Sequence, residues 1–225
     1  MSERTNNSKN NPVGKIENIV FDLGRVLVKW YPEEYIEKKY GKDIAEIISM
    51  RVLNSREWLE MDRGLISEDE LWDMKLRELN GLKDVLLDLK EKTLELLQPI
   101  EENVSLLPLL KRMGYRLFVL SNFSRSMFRK IRERYKFFEL FDGLVISSDH
   151  FTVKPEKKIY KILIETFDVT PSVSLFIDDK LENVQAALEL GFHVIHLEKP
   201  EVLREKLLEY GIIVSKMLGE GGAVL

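Results

Sequence analysis

The sequence predicts an α/β fold, a Rossmann-like parallel sheet core flanked by helices, with an inserted all-helical domain. Three observations carry this. Short apolar runs that end in a polar residue recur along the chain. From residue 99 onward they alternate with amphipathic stretches, the pattern of strands joined by helical crossovers. Between the first run and the rest, residues 29–98 show helical periodicity alone.

The first element is IENIVFDL, Ile16 to Leu23. Its run of Ile19, Val20 and Phe21 reads as a buried strand that stops at Gly24. Ile36, Tyr40, Ile44, Ile47 and Ile48 recur at spacings of three and four and predict one apolar helical face. In RGLISEDEL, Gly64 marks a turn and Ser67 with Glu70 spells a capping box. Ile66 and Leu71 stand where a hydrophobic staple places them, so a helix starts at Ser67. A further helix runs from about Leu82 to Leu97 and is stopped by Pro99.

Beyond Pro99 the reading is a helix from Glu101 to Met113 closed by Gly114, then a strand from Tyr115 to Ser121. A helix capped by Ser124 reaches Tyr135, a strand spans Gly143 to Ser147, and a helix follows Pro155. The strand Val173 to Asp178 leads into a helix from Leu181 that Gly191 closes, and HVIHL with a helix from Pro200 to Tyr210 ends the series. The expected organisation is a core of residues 14–28 and 99–218, with 29–98 inserted. Residues 1–13 read as a disordered leader and 219–225 as a flexible tail.

Composition narrows the partners. A net charge of -4 provides no broad basic field, which argues against nucleic acid. No apolar run is long enough to span a bilayer, so no membrane partner is expected. Cysteine is absent, which excludes disulfides and thiolate metal sites and fits a cytoplasmic protein.

Three predicted strands end alike: IVFD at Asp22, FVLS at Ser121, and LFID at Asp178 with Asp179 next. In an open parallel sheet, ligands bind beyond the carboxyl ends of the strands. Acids gathered at such a rim need compensating charge, so three of them imply a cation. It is a hard one with oxygen ligands, and magnesium fits best. Lys154, in VKPE, reaches the same rim from the loop after GLVIS. Asp22 is placed to attack phosphorus and form an aspartyl-phosphate. Ser121 and the amides around Leu23, Gly24, Asn122 and Phe123 are placed to donate to phosphoryl oxygens.

The ordered set FDLG, VLSN, VKPE and FIDD resembles the four motifs of the haloacid dehalogenase-like hydrolase superfamily, over about Ile16 to Gly211. The position of the insertion is similar to the branch that carries a helical cap. The wording FDLGRVLV and RGLISEDE is similar to a subgroup that includes a bacterial glucose-1-phosphate phosphatase. The resemblance implies a Mg2+-dependent phosphatase of small phosphorylated metabolites, sugar phosphates among them. In that pattern Asp22 is nucleophile and metal ligand, the Gly24 carbonyl and Asp179 are further ligands, and Asp178 acts through a metal-bound water. Ser121 and Lys154 hold the phosphate, with Asn122 beside them, and residues 31–98 form a lid.

Two departures stand out. Most phosphatases of the superfamily carry a second Asp two residues after the nucleophile as general acid, and here that position is Gly24. Phe151 stands where many relatives have Gly. Among the other candidates, Asn183 is expected either to orient the metal-site loop or to pack at a helix start. Arg63 is expected to be an exposed charge rather than a substrate grip. His150, His193 and His196 lack ligand spacing, and Trp30, Trp58 and Trp72 read as packing within or against the cap. Two rival functions remain open: a metal-free 2-haloacid dehalogenase, which the FIDD acids disfavour, and a non-catalytic phospho-ligand binding protein, which Gly24 suggests.

Overall fold

A computed structural model of the chain describes residues 15–213; the expected leader 1–13 and tail 219–225 lie outside the described residues. The strands are β1 (Asn18–Phe21), β2 (Arg116–Ser121), β3 (Gly143–Ile146), β4 (Ser174–Asp178) and β5 (His193–His196). All their pairings are parallel, in the order β3-β2-β1-β4-β5. The chain runs outward from β1 to β3, then crosses back to β4 on the other side. That reversal puts the carboxyl ends of β2, β1 and β4 side by side at the switch point.

The strands are continuous apolar runs because both faces are buried. Alternate residues feed two apolar layers, as the period of two requires. Ile19, Phe21, Leu117, Val119, Leu175 and Ile177 join one cluster with Leu107, Ile131 and Leu203. Val20, Phe118, Leu120 and Phe176 join the other with Ile159, Tyr160, Leu163 and Ala187. Each such side chain contributes ~1.5–3 kcal/mol on burial.

Residues between β1 and β2 begin with helices: α1 (Pro32–Tyr40), α2 (Lys42–Ile48), α3 (Arg56–Arg63), α4 (Glu68–Glu78) and α5 (Lys83–Leu96). They hold a third core of Ile36, Ile48, Val52, Trp72, Leu86 and Leu89. Two short helices, α6 (Glu101–Val104) and α7 (Leu107–Arg112), then lead into β2. The remaining helices are α8 (Arg125–Arg134), α9 (Ser147–His150), α10 (Lys157–Phe167), α11 (Leu181–Glu189) and α12 (Leu203–Glu209). Among the described residues no helix is long and apolar enough to cross a membrane.

The capping box at Ser67 is present: its hydroxyl accepts from the Glu70 amide, and Glu70 accepts from the Ser67 amide. Three expectations need correction. The single face from Ile36 to Ile48 is two helices, because Gly41 turns the backbone to φ 91° between them, and Ile47 is exposed. The helix expected from Glu101 to Met113 breaks after Val104. Pro108, which lacks an amide proton, falls in the first turn of the new helix. Ser124 occupies the N-cap of α8, but its hydroxyl makes no capping bond.

Where α3 meets the core the fit is tight. Gly64 ends α3 at φ 82°, and a Cβ added there would run into the carbonyl of Ser148 on α9. A Gly64→Ala variant therefore combines a left-handed backbone with a backbone clash. It is expected to lower stability by about 1–3 kcal/mol in denaturant unfolding.

Candidate functional site

The switch point assembles the predicted residues. Asp22 follows β1 directly, and its amide extends the sheet by donating to the Ile177 carbonyl at 2.9 Å. Ser121 ends β2, Asp178 ends β4, and Asp179 begins the next loop. Lys154 comes from the loop after α9. Its Nζ lies 2.8 Å from Asp22 Oδ1 and 2.6 Å from Asp178 Oδ2, with its side chain 1% exposed. Asp22, Asp178 and Asp179 each offer a carboxylate oxygen, all within 4.8 Å of one another.

The charges at this point do not balance locally. Burial works against the Lys154 ammonium, but Asp178 and Asp22 outweigh it and raise its pKa, so it stays protonated. Burial likewise pushes Asp178 upward, opposed by Lys154. Three donors converge on Asp178: Lys154, the Lys180 amide and the Asn183 side chain. Asp179 is pushed up to about 7, by burial first and then by Asp22 and Asp178. Asp22 Oδ1 is buried, and its close neighbour is the Lys154 ammonium. One ammonium against three clustered carboxylates leaves negative charge over, which fits a hard divalent cation. The Gly24 carbonyl accepts no hydrogen bond among the described residues and is a further free oxygen.

The neighbouring residues divide into those facing the cavity and those supporting it. The Ser121 hydroxyl makes no protein hydrogen bond among the described residues, and Ser121 lines the cavity above Asp22. Asn122 uses its side chain on the Lys154 peptide, donating to its carbonyl at 3.0 Å and accepting from its amide at 2.8 Å. It therefore holds the lysine loop. The Phe123 amide is taken by the Ser147 hydroxyl at 2.9 Å, which removes it from the expected set of phosphate donors. Asn183 does orient the loop, through both oxygens of Asp178. His196, which lacks ligand spacing, hydrogen-bonds the Asp179 carbonyl at 3.0 Å. Phe151 takes a left-handed φ of 53° at the end of α9, the conformation a glycine adopts most readily.

The helical insertion closes the site from above. A cavity of about 560 Å³ is lined by Asp22, Gly24, Ser121, Lys154 and Asp179 below, and by residues from Leu53 to Trp72 above. A larger cleft of about 1020 Å³, between α4, α5 and α8, contains none of the clustered acids. Trp30, Trp58 and Trp72 form a chain of rings with centroids 5.9 and 6.2 Å apart. Besides packing, all three line the smaller cavity. Arg63 neither faces it nor stands free, because its guanidinium grips Glu156 with two contacts of 2.9 and 2.6 Å. Its neighbour Asp62, which the periodicity did not single out, lines the cavity instead. Which way α3 turns its acids depends on its docking against α9, and no local pattern encodes that.

An all-parallel sheet with acids at the switch point, facing a helical insertion, is an arrangement shared by one recognisable class of hydrolases. The sequence profile of the haloacid dehalogenase-like hydrolases matches residues 19–197, and the chain belongs to that family. Its curated relatives place it among the family's phosphohydrolases. A sesquiterpene phosphatase of Aspergillus oryzae is 30% identical over 79% of this chain and 88% of its own. A D-ribitol-5-phosphate phosphatase of Bacteroides thetaiotaomicron is 26% identical over 85% of this chain and 97% of its own. A family enzyme from the same bacterium, solved with magnesium and inorganic phosphate, superposes with a TM-score of 0.61 at 27% identity, covering 80% of this chain and 93% of that one. The fold alone is shared with an L-2-haloacid dehalogenase of Xanthobacter autotrophicus, at 21% identity and TM-score 0.61, over 90% and 86% of the two chains.

Replacing Lys154 by Met would leave Asp22 and Asp178 buried without their cation. The metal-free variant is expected to lose about 3–5 kcal/mol of stability at neutral pH. Without the lysine to oppose it, burial holds the folded pKa of Asp178 above its unfolded one. The deficit should therefore be full at high pH and shrink as pH falls and Asp178 binds a proton. Denaturant unfolding across pH measures both effects.

Proposed function

We propose that this chain is a magnesium-dependent phosphatase of small phosphorylated metabolites that works through an aspartyl-phosphate on Asp22. The observation that carries the reading is the Asp22 carboxylate itself. It is buried at the cavity floor, held by Lys154 and flanked by two more acids. Asp22, Asp179 and the Gly24 carbonyl would hold the Mg2+ directly, and Asp178 through water, since its own oxygens are already engaged. The ion would neutralise the acids and draw charge from the phosphoryl oxygens.

The chain's own groups do the remaining work. Asp22 attacks phosphorus in line with the leaving oxygen, and the phosphoryl group moves to its carboxylate. Lys154 and the Ser121 hydroxyl hold the equatorial oxygens, joined by the amides of Leu23, Gly24 and Asn122. The Asn122 side chain fixes the lysine loop. Residues 29–98 act as a cap over a core of 14–28 and 99–218, excluding water and reading the substrate.

For the substrate body, the cavity walls favour an apolar or aromatic group: Trp30, Trp58, Leu59, Met61 and Met127 line it. The sesquiterpene phosphatase relative acts on such a body. A sugar phosphate is the second reading, supported by Asn54, Ser55, Arg56 and Glu33 on the same walls and by the ribitol-phosphate relative. A haloacid dehalogenase has no use for clustered carboxylates, which would repel its carboxylate substrate.

Asp22→Asn should reduce phosphate release from a panel of terpenyl, aryl and sugar phosphates to background while the protein stays folded. EDTA should stop the wild-type enzyme and added Mg2+ restore it. Undiminished turnover in Asp22→Asn, or chloride release from 2-chloropropionate in EDTA, would overturn the reading. Phosphate binding without turnover on the whole panel would establish a binding protein instead.

A further inference from the structure

Gly24 leaves a chemical role open. A leaving alkoxide needs a proton, and position 24 has no side chain to give one. The space beside Gly24 is empty: a Cβ built there meets no atom within 4 Å. The donor must therefore come from another element that reaches the cavity. Of the carboxylates lining it from the insertion, Glu33 is engaged by Arg25 and Glu68 by the Ser126 hydroxyl. Asp62 is the third, and among the described residues its carboxylate makes no hydrogen bond or ion pair.

Its backbone, in contrast, is fixed. The Asp62 carbonyl accepts a short hydrogen bond from the Ser147 hydroxyl, which in turn accepts from the Phe123 amide. On one side Arg63 grips Glu156, and Thr152 donates to the same carboxylate at 2.6 Å. Beyond it Gly64 sits flush on Ser148. Three successive residues are thus anchored to the core, and the one side chain among them without a partner lines the cavity over Asp22. We propose that Asp62, carried by the helical insertion, is the proton donor to the leaving group, supplying from above what Gly24 lacks below. This rests on the phosphatase reading given above.

The proton balance is complete. As the Asp22 oxygen bonds to phosphorus, the bond to the leaving oxygen breaks, and that oxygen takes the Asp62 proton and departs as an alcohol. Water then attacks the aspartyl-phosphate and returns a proton to Asp62, and the phosphorus–Asp22 bond breaks to release inorganic phosphate. Burial suits Asp62 to the task. With Lys180 opposing and Asp22 reinforcing, burial pushes its carboxyl up to about 7, where both protonation states are accessible.

The test compares two esters with the same aromatic body, benzyl phosphate and 4-nitrophenyl phosphate. The first needs its leaving oxygen protonated; the second releases a stable phenolate. Asp62→Asn should lower kcat/KM for benzyl phosphate by ~100- to 10,000-fold while changing 4-nitrophenyl phosphate far less. Asp62→Ser carries the same expectation should the first variant fold poorly. Adding Gly24→Asp to Asp62→Asn should restore turnover of benzyl phosphate selectively, since the space beside residue 24 accepts the new carboxyl. Equal losses on both esters would mark Asp62 as a structural residue and overturn the proposal, as would no loss on either. Asp22→Asn serves as the separating control. It stops both esters if the phosphatase reading is right, whatever Asp62 does, and its failure would count against that reading alone.

Discussion

The structure turns on one buried ammonium facing too many carboxylates. Lys154 is almost wholly enclosed and touches Asp22 and Asp178, while Asp179 stands beside them. One positive charge against three acids in a water-poor rim is an unfavourable arrangement by itself. Much of the surrounding architecture makes it tolerable. Asn122 clamps the lysine loop, Asn183 and the Lys180 amide share the charge of Asp178, and His196 holds the peptide of Asp179. The deficit left over is what a divalent cation would offset. A phosphate brings about two negative charges and the cation two positive ones, so the pair enters without worsening the balance.

The helical insertion meets this rim at few points, and they cluster. Glu68 takes the Ser126 hydroxyl, Tyr135 donates to the Leu97 carbonyl, and the Asp62–Gly64 corner seats on α9. The Arg63–Glu156 pair is partly exposed and bidentate, so its value lies more in geometry than in energy. It holds Glu156 down to about 2, so the pair is intact at any pH near neutrality. Because α9 and the lysine loop follow directly from β3, the corner of the insertion is referenced to the same elements that place Lys154.

Most of the fold could be read from the chain because its local signals agree with its tertiary demands. IVF, LFVL and LFI are continuous apolar runs because both faces of the sheet are covered, and each ends in the polar residue that the rim uses. Ser67 and Glu70 cap as their spacing requires. What escaped was decided by single backbone positions or by docking. Gly41 splits a face that looked continuous, and Pro108 begins a new turn where a long helix seemed natural. Asn122 stands next to Ser121 as expected, but the order of residues does not show that its side chain holds the lysine loop. Phe151 holds a positive φ that accounts for glycine in relatives, and nothing in the structure explains the phenylalanine. Asp62 and Arg63 are adjacent acids and bases in one helix, and nothing in their order tells which faces the cavity.

An acid carried on the insertion, rather than two residues beyond the nucleophile, changes what closure does. A donor at position 24 would be present whether or not the insertion sat on the core. A donor at Asp62 is present only while the corner at Gly64 rests on Ser148 and Ser147 holds the Asp62 carbonyl. With the corner withdrawn, Asp22 and Lys154 would still face solvent, but no group would protonate an alkoxide or take a proton from water. Chemistry then becomes conditional on the contacts that keep the corner down, the Ser147 hydroxyl on the Asp62 carbonyl and Arg63 on Glu156. Under this arrangement an alkyl phosphate bound at the rim with the corner withdrawn would keep its leaving group, for want of a proton to carry the alkoxide away.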